Sequence, residues 1–589
     1  MPPFDRSLES PIARIRELRA RAPGSVVTVD GMTELQQGAF VPSETERRLL
    51  ELAASDERPD LLLISGSAGS GKSALIDRLE RAQPDLFELV VQDATHSDSP
   101  SETQASVLER FFEPFRDDAT GPPARPRLIA ANIGLLLAFF AKLRHDAQPH
   151  PFTTLEAVLK HRLGVSPGEA PAAPWNAAVL NLDLRPTAGA GGLFAEMLRL
   201  ADFENAEGLV AGAPRCATCE VRAWCPVRTN SIIAGQAGAA ATDRLAARAA
   251  AERGRHDSPR QLWDLVARLL CGDDPFDDRE DPCDAVAGAA EREDRDWVWE
   301  RLLPRKLFST GGELGQRIAR LDPSRQPGAR AHRTLAGAGI RPGADAAALR
   351  ELDPDGAEAL ATGADHLAGG SVPPAKAGRA LVAAAYLLHP EDWPLGDETA
   401  RNFEQLLAEY EQFSSGEQGE YPELEALRRL LERALGRSFG VLEADTPYIP
   451  VKAYDPRDPS RIFVRASLEY SDEIYKVATD PPTERDPGGA TLAAHRPLAL
   501  TVRLGGIEVA ITLPVYRLLE AAAAGTVAST SDLERFYGLR RAVEALARAA
   551  AAADRELAVE RPGTARRYQV RRSTTLGGQE VVTVQEIRR

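Results

Sequence analysis

Apolar runs alternate with helical patterns along the first third of the chain. Four short runs rich in Leu, Ile, Val and Ala predict strands at Leu61–Ser65, Glu88–Gln92, Arg127–Ala131 and Ala177–Leu184. Each run is followed by a polar or glycine-bearing turn, and helical patterns lie between the runs. Strands that alternate with helices predict an α/β domain with a parallel sheet, which we assign to residues 1–190.

The pattern changes further along the chain. Ala, Leu, Arg and Glu dominate the next segment, which predicts a helical lid over residues 191–310 and a helical domain over residues 311–440. Beyond these, β-branched and aromatic runs predict a β-rich α+β domain over residues 441–589. Inside that domain Leu498–Leu513 predicts a hairpin that turns at two glycines.

Composition places the chain among multidomain globular proteins. Its 589 residues exceed what one core holds, and 43% apolar residues is too many for a disordered chain. The longest apolar run, Leu128–Leu143, is interrupted by two polar residues and is too short to span a bilayer. The N-terminus lacks the layout of a signal peptide, and five cysteines exclude a disulfide scaffold. We therefore expect a soluble, cytoplasmic protein with no membrane partner.

One segment, residues 66–73, matches G-x-x-x-x-G-K-[ST] at every fixed position. It follows a predicted strand and leads into a helical pattern, the context that this motif requires. Backbone N–H groups must surround a phosphate there, so the side chains must be small. Lys72 would reach the β- and γ-phosphates, and Ser73 would ligate Mg²⁺. The sequence thus predicts a P-loop NTPase that binds ATP and Mg²⁺ through Gly66, Ser67, Ala68, Gly69, Ser70, Gly71, Lys72, Ser73 and Ala74.

Three strand ends offer candidates for the residue that would support hydrolysis. Asp93 follows the second predicted strand, only 21 residues after Lys72, which suits a second strand better than a Walker B strand. Asn132 follows the third strand, where an amide suits a sensor of the γ-phosphate. Asp183 ends the fourth hydrophobic run. No Asp-Glu pair follows a hydrophobic run in this region, so the chain is predicted to be an ATPase with weak turnover.

A second segment supplies a candidate arginine. Ser258 and Pro259 predict a helix start, with serine as N-cap and proline at the first helical position. Arg260 then lies in the first turn, where a cation is normally unfavourable. This favours a functional role as an arginine that reaches the γ-phosphate, and a solvent-exposed arginine is the alternative.

Three cysteines crowd into ten positions. Cys216, Cys219 and Cys225 have the spacing C-x₂-C-x₅-C, which can direct three sulfurs at one metal. Neighbouring arginines are expected to favour the thiolate forms. The spacing leaves three alternatives: a zinc ion, an iron–sulfur cluster, or buried thiols that bind no metal. In each case we expect a structural role. Candidates for a fourth ligand are Cys271, Cys283 and His256.

Charge is distributed unevenly. The net charge of −16 divides into −20 over the first 530 residues and +4 over the last 59. The segment Arg561–Arg572 holds five arginines and no acid, and Arg567–Arg572 with Glu580–Ile587 predicts a terminal hairpin. Such a basic hairpin could contact DNA phosphates, whereas a solvated hairpin or a subunit-docking surface are the alternatives.

With these residues in place, the chain resembles the P-loop ATPases of prokaryotic anti-phage islands. The resemblance is closest to the phosphorothioation-dependent restriction ATPase (DptF) family, and it is distributed along most of the chain. The segments that carry it are residues 66–73, Gln92–Ser97, Ser101–Gln104, Ala131–Leu136, Cys225-Pro226, Pro259–Asp264 and Leu513–Leu519.

This resemblance implies an AAA-like ATPase that is one subunit of a multi-protein restriction machine. Such a subunit would use ATP to sense or act on foreign DNA, with nuclease or translocase activity in its partners. A homo-oligomer is one further form of assembly, and a nucleotide-gated scaffold with little hydrolysis is the alternative function. The residues that the resemblance carries over are Gly66, Gly71, Lys72 and Ser73 for nucleotide, with Asn132 and Arg260 as sensors.

Overall fold

A computed structural model of the chain forms two compact units. The first takes in the described residues within Met1–Ala250 and Arg255–Gly396, and the second those within Ala251–Gly254, Asp397–Pro481 and Pro497–Arg589. The predicted division into four domains stays a prediction. The structure describes residues 10–20, 22, 27, 31–56, 58–94, 103–147, 149–163, 172–189, 191–210, 216, 218–273, 282–325, 351–352, 374–393, 395, 398–414, 419–437, 448–450, 463–467, 475–477, 498–504, 507–526, 532, 536–542, 545, 557–560, 566–575 and 577–587.

A four-stranded parallel sheet organises the start of the first unit. Its strands are β1 (Leu61–Ser65), β2 (Leu89–Val91), β3 (Arg127–Ala131) and β4 (Ala177–Asn181), in the order β2-β3-β1-β4. Every pair is parallel, so each connection must cross from one end of the sheet to the other. The four predicted strands are confirmed, although β4 is shorter than predicted because Leu182–Leu184 forms a 3₁₀ turn.

Both faces of this sheet are covered, which explains why its strands have nearly continuous apolar sequences. Leu61 and Leu63 of β1 enter one apolar cluster, whereas Leu62 and Ile64 enter another on the opposite face. The first face is covered by the helices Gln104–Phe112, Ile133–Asp146 and Thr153–Arg162, and the second by Glu44–Ala54 and Lys72–Ala82. The predicted α/β class is therefore confirmed as a parallel sheet flanked by helices.

Helices form the rest of the first unit. They share a core that includes Trp263, Trp299 and Tyr386 and that extends to the N-terminal residues Ile12 and Ile15. Short 3₁₀ turns lie at Glu113–Phe115, Arg222–Trp224, Pro323–Arg325 and Pro390–Asp392. The α-helices are Pro11–Arg16, Glu34–Gly38, Phe194–Leu200, Pro226–Gly235, Ala239–Arg253, Pro259–Cys271, Pro282–Glu291, Arg295–Trp299, Leu303–Lys306, Gly312–Arg320 and Pro374–Leu388.

In its described residues, the second unit combines helices with antiparallel strands, and residues 537–542 are also helical. Its longer helices are Glu398–Ser414, Pro422–Arg437 and Leu513–Ala523. One sheet has three strands, Tyr475–Val477, Ala499–Leu504 and Ile507–Thr512. The other has five strands, Tyr448–Pro450, Phe463–Ser467, Leu557–Glu560, Arg567–Thr574 and Glu580–Ile587.

These strands confirm two hairpins predicted from the sequence. Ala499–Leu504 pairs antiparallel with Ile507–Thr512, and Arg567–Thr574 pairs antiparallel with Glu580–Ile587. The two glycines of the first turn lie outside the described residues. Within the part of the chain that the structure describes, no helix combines the length and the apolar character needed to cross a bilayer.

Candidate functional site

The glycine loop, residues 66–71, connects β1 to the helix Lys72–Ala82. Gly71 is the N-cap of that helix and has a left-handed φ of 98°. Gly69 has a φ of 79°, and a Cβ added there would lie 2.9 Å from the Cβ of Arg260. Side chains at these two positions would strain the backbone or collide with the neighbouring helix. The loop therefore leads into a helix N-terminus, where backbone N–H groups favour anions.

Lys72 lies over this loop. Its Nζ donates hydrogen bonds to the backbone oxygens of Gly66 at 2.7 Å and Ser67 at 2.9 Å. Burial lowers the pKa of Lys72, and the nearby carboxylates of Asp93 and Asp183 act in the opposite direction. The ammonium group of Lys72 thus lies at the N-terminus of the helix, close to the carboxylates of Asp93 and Asp183.

A cavity of about 430 Å³ opens beside the glycine loop. Its charged wall contains Lys72, Arg185 and Arg260, while Asp93 is the one carboxylate among the described residues that line it. A surplus of positive charge in a concave site favours an anionic ligand. The remaining wall is apolar and includes Met32, Phe40, Val41, Leu193, Met197 and Trp263.

Arg185 is a part of this site that the sequence interpretation missed. Its side chain is buried, and Nη2 donates to the backbone oxygen of Ser70 at 2.9 Å. Its Nε has no hydrogen-bond partner among the described residues. Burial lowers the pKa of Arg185 to about 10, and Glu46 opposes this effect. The only sequence signal was a charged residue four positions beyond the end of β4, which does not distinguish it from a surface arginine.

Arg260 reaches the same cavity from the helix Pro259–Cys271. The predicted helix start is confirmed, because Ser258 and Gln261 form a reciprocal capping box with Pro259 at the first position. The Arg260 backbone N–H donates to the Gly69 oxygen at 3.4 Å, and its side chain lines the cavity. The helix cap therefore fixes where this arginine enters the site.

The three candidate polar residues at strand ends have different surroundings. Asp93 lines the cavity together with Ser73. Asp183 accepts hydrogen bonds from both the N–H and the hydroxyl of Ser67, each at 2.8 Å. Asn132 caps the helix Ile133–Asp146, because its Oδ1 accepts from the N–H of Gly134 at 2.8 Å. The structure thus brings Asp93 to the cavity and gives Asp183 a contact that holds the loop.

Four of the five cysteines line a second cavity of about 350 Å³. These are Cys216, Cys219, Cys225 and Cys283, and all are free thiols. Cys271 instead lies in the helical core with 2% of its surface exposed. Within the described part of the chain, no group of three or more His, Cys, Asp or Glu side chains is placed to hold one metal ion.

The thiols of this second cavity are poorly solvated. Desolvation raises the pKa of Cys216 to about 11, and neighbouring Cys283 and Cys219 raise it further, whereas Arg228 opposes them. Desolvation likewise raises the pKa of Cys225 to about 12. Arg228 thus lowers the pKa of Cys216 in the expected direction, but desolvation outweighs the charge of the arginine.

The basic hairpin at the C-terminus is partly neutralised. Arg572 forms an ion pair with Glu580 at 2.7 Å across the two strands. At least half of each side chain is exposed to solvent, so this ion pair adds little stability. Arg566, at the start of the hairpin, is exposed. Arg561 lies outside the described residues.

Comparisons of the chain with protein-family models, with curated proteins and with solved structures find no match.

Proposed function

We propose that this chain is an AAA-like P-loop ATPase that binds ATP with Mg²⁺ in the cavity beside the glycine loop. Its nucleotide state would govern engagement of DNA or of partner subunits in a multi-protein restriction or anti-phage system. One observation carries the proposal: a glycine loop, three cationic side chains and apolar side chains line the same cavity.

The charged wall supports a polyphosphate as the anion. Lys72 comes from the first turn of the helix after β1, Arg185 from beyond β4, and Arg260 from a separate helix. Three cations from separate segments surround more than one negative group, which a chain of phosphates supplies and a single carboxylate does not. The helix N-terminus behind the loop adds its own attraction for phosphate.

The apolar wall supports a nucleoside rather than inorganic polyphosphate. Phe40 and Trp263 line the cavity along with aliphatic side chains. Flat aromatic surfaces favour a nucleobase, and stacking of one base on an aromatic side chain is worth about 1–3 kcal/mol. The cavity therefore suits a ligand with one anionic end and one flat apolar end.

Two residues of the cavity suit Mg²⁺. The hydroxyl of Ser73 and the carboxylate of Asp93 are oxygen ligands of the kind this ion prefers, and both line the cavity. When bound, Mg²⁺ neutralises charge on the β- and γ-phosphates. Asp183 is less suited to this role because it is not among the described residues that line the cavity, and its Oδ1 is held by Ser67.

A nucleotide-gated scaffold with little hydrolysis is the second candidate function. Ala94 follows Asp93, so no second carboxylate stands beside it in the sequence to activate water. The amide of Asn132 is engaged in capping its own helix. Both observations favour binding over fast turnover.

The setting in a restriction system is supported by the family resemblance. The acidic body, with −20 over the first 530 residues, favours protein partners over broad DNA contact. Direct DNA contact would then be confined to local basic surfaces such as the C-terminal hairpin. Partner subunits would supply nuclease or translocase activity.

The proposal is tested with purified wild-type protein, Lys72→Ala and Lys142→Ala. Lys142 is an exposed lysine on the helix Ile133–Asp146, and it serves as the matched control. Loss of a charged hydrogen bond to phosphate should weaken ATP binding about 10- to 100-fold in Lys72→Ala, while Lys142→Ala binds as wild type. Calorimetric titration measures binding, and phosphate release with and without DNA measures hydrolysis. Equal affinity in all three proteins would reject the nucleotide site, whereas binding without turnover would select the scaffold.

A further inference from the structure

The second cavity of the first unit brings together four thiols from two distant segments. Cys216, Cys219 and Cys225 belong to one loop, whereas Cys283 lies on the first turn of the helix Pro282–Glu291. Nothing in the nucleotide proposal uses these residues. Four sulfurs on the wall of one cavity are unusual for a chain with five cysteines.

The loop that carries three of the thiols is wound into successive tight turns. The Cys219 N–H donates to the Cys216 oxygen at 3.4 Å, and the Arg222 N–H donates to the Cys219 oxygen at 3.3 Å. The Cys225 N–H then donates to the Arg222 oxygen at 3.2 Å. Turns of this 3₁₀ kind align side chains three positions apart, which explains how the spacing C-x₂-C-x₅-C brings all three cysteines to one wall.

Two contacts of Cys225 act against the desolvation of its sulfur and favour a metal-bound thiolate. Cys225 is the N-cap of the helix Pro226–Gly235, and the Arg228 N–H donates to its Sγ at 3.5 Å. Hydrogen bonds from backbone N–H groups to cysteine sulfur help to set the properties of iron–sulfur clusters, and a Cys-Pro pair also occurs in bacterial cluster motifs. A helix N-terminus further stabilises negative charge at this position.

The interior of the cavity is otherwise apolar. Ile12, Phe203 and Val286 line it together with the thiols. Among the charged side chains that line it, Glu220, Arg222, Asp284 and Glu291 are exposed, whereas Arg228 is largely buried and forms an ion pair with Glu204. Four sulfurs beside apolar side chains give a bound metal group partial shelter from water, and thiolate sulfur is the ligand that iron–sulfur clusters take.

The size of the cavity distinguishes the two metals that the sequence left open. Four sulfurs around one zinc ion stand about 3.8 Å apart, since each Zn–S bond is about 2.3 Å. In the described residues no three such side chains are placed to hold one ion, yet four thiols line a cavity of about 350 Å³. A [4Fe–4S] cluster takes one thiolate on each iron and so occupies the space between four separated sulfurs.

We propose that Cys216, Cys219, Cys225 and Cys283 hold a [4Fe–4S] cluster. The cluster joins the 216–225 loop to the helix Pro282–Glu291. It also lies against the N-terminal helix, because Ser10 Oγ is 3.1 Å from Cys283 Sγ. The structure assigns it a stabilising role, and the assignment is independent of the nucleotide proposal.

The test is metal analysis of the full chain purified without oxygen, as wild type, Cys283→Ser and Cys271→Ser. Cys271 is the matched control, because it is the buried cysteine outside the cavity. We expect about four iron and four acid-labile sulfide per wild-type chain. A visible charge-transfer absorbance should bleach on reduction. Cys283→Ser should lose most of the iron and Cys271→Ser should keep it.

Three outcomes would overturn the assignment. These are one zinc per colourless chain, no metal at all, and equal loss of iron from both cysteine variants. If Cys283→Ser does not fold, the wild-type protein decides alone. Its iron and sulfide are removed by oxidation and chelation and then returned as ferrous iron and sulfide. Recovery of the absorbance together with the metal count supports the cluster, and failure to recover it contradicts the cluster.

Discussion

Arg185 provides the sharpest test of the nucleotide site, because the ligand-free protein gains little from its charge. Burial lowers its pKa from 12.5 to about 10. Since each pKa unit corresponds to about 1.36 kcal/mol, holding the charged form there costs about 3 kcal/mol. Its hydrogen bond to the Ser70 oxygen offsets roughly 1.5–3 kcal/mol of that cost. Arg185→Met, which keeps an unbranched apolar stem and removes the guanidinium, should therefore change the unfolding free energy of the ligand-free protein by less than about 2 kcal/mol.

The same substitution should have a clear effect once ATP is present. Ligand at 100 times its dissociation constant stabilises a protein by about 2.7 kcal/mol. If Arg185 contacts phosphate, the variant binds about 10- to 100-fold more weakly. At the same ATP concentration, about 1–2 kcal/mol of the ligand-induced stabilisation should then be lost.

The assay compares the thermal unfolding midpoint with and without ATP and Mg²⁺ for wild type, Arg185→Met and Arg248→Met. Arg248 is also a buried arginine of the first unit, and its Nη2 donates to the Leu395 oxygen at 3.3 Å. The control should keep the full ATP-induced shift, whatever its own stability. A full shift in Arg185→Met would refute a phosphate contact. Equal loss in both variants would show that the effect arises from a loosened fold.

Two further substitutions test the site. Asp93→Asn removes a charge from the proposed Mg²⁺ site, so phosphate release should fall at least about tenfold while calorimetry still detects ATP binding. Unchanged phosphate release would show that Asp93 is not the acidic residue that supports hydrolysis. Ser258→Ala removes the cap of the helix that carries Arg260 and should lower the free energy of unfolding by about 1 kcal/mol. Because that helix lines the cavity, the ATP concentration for half-saturation should rise as well. An unchanged titration would show that the helix cap does not affect ATP binding.

Local features of the first unit could be predicted from the sequence. The strands β1 and β3 are buried on both faces, so their apolar runs begin and end with the strands themselves. The glycine loop has its own backbone requirement, and the Ser258 cap is formed by residues three positions apart. Each of these depends on neighbours in the sequence, which is why the pattern was enough.

Features that depend on distant contacts could not be predicted. Cys271 and Cys283 were equal candidates beside the 216–225 loop, because only packing of the helix Pro282–Glu291 decides which sulfur reaches the cavity. Arg185 meets Ser70 across a separation of 115 residues. The order β2-β3-β1-β4 also follows from packing, and it puts β3 between the loop's strand and the strand that precedes Asp93.

The N-terminal helix Pro11–Arg16 and the turn after it touch both cavities of the first unit. Ile12 lines the cysteine cavity, and Leu18 lines the nucleotide cavity. Six residues of helix span only about 9 Å, so a shift of this segment at one end is transmitted to the other. A ligand that moved the segment in one cavity would alter the affinity of the other, and thermodynamic reciprocity would make the two effects equal in size.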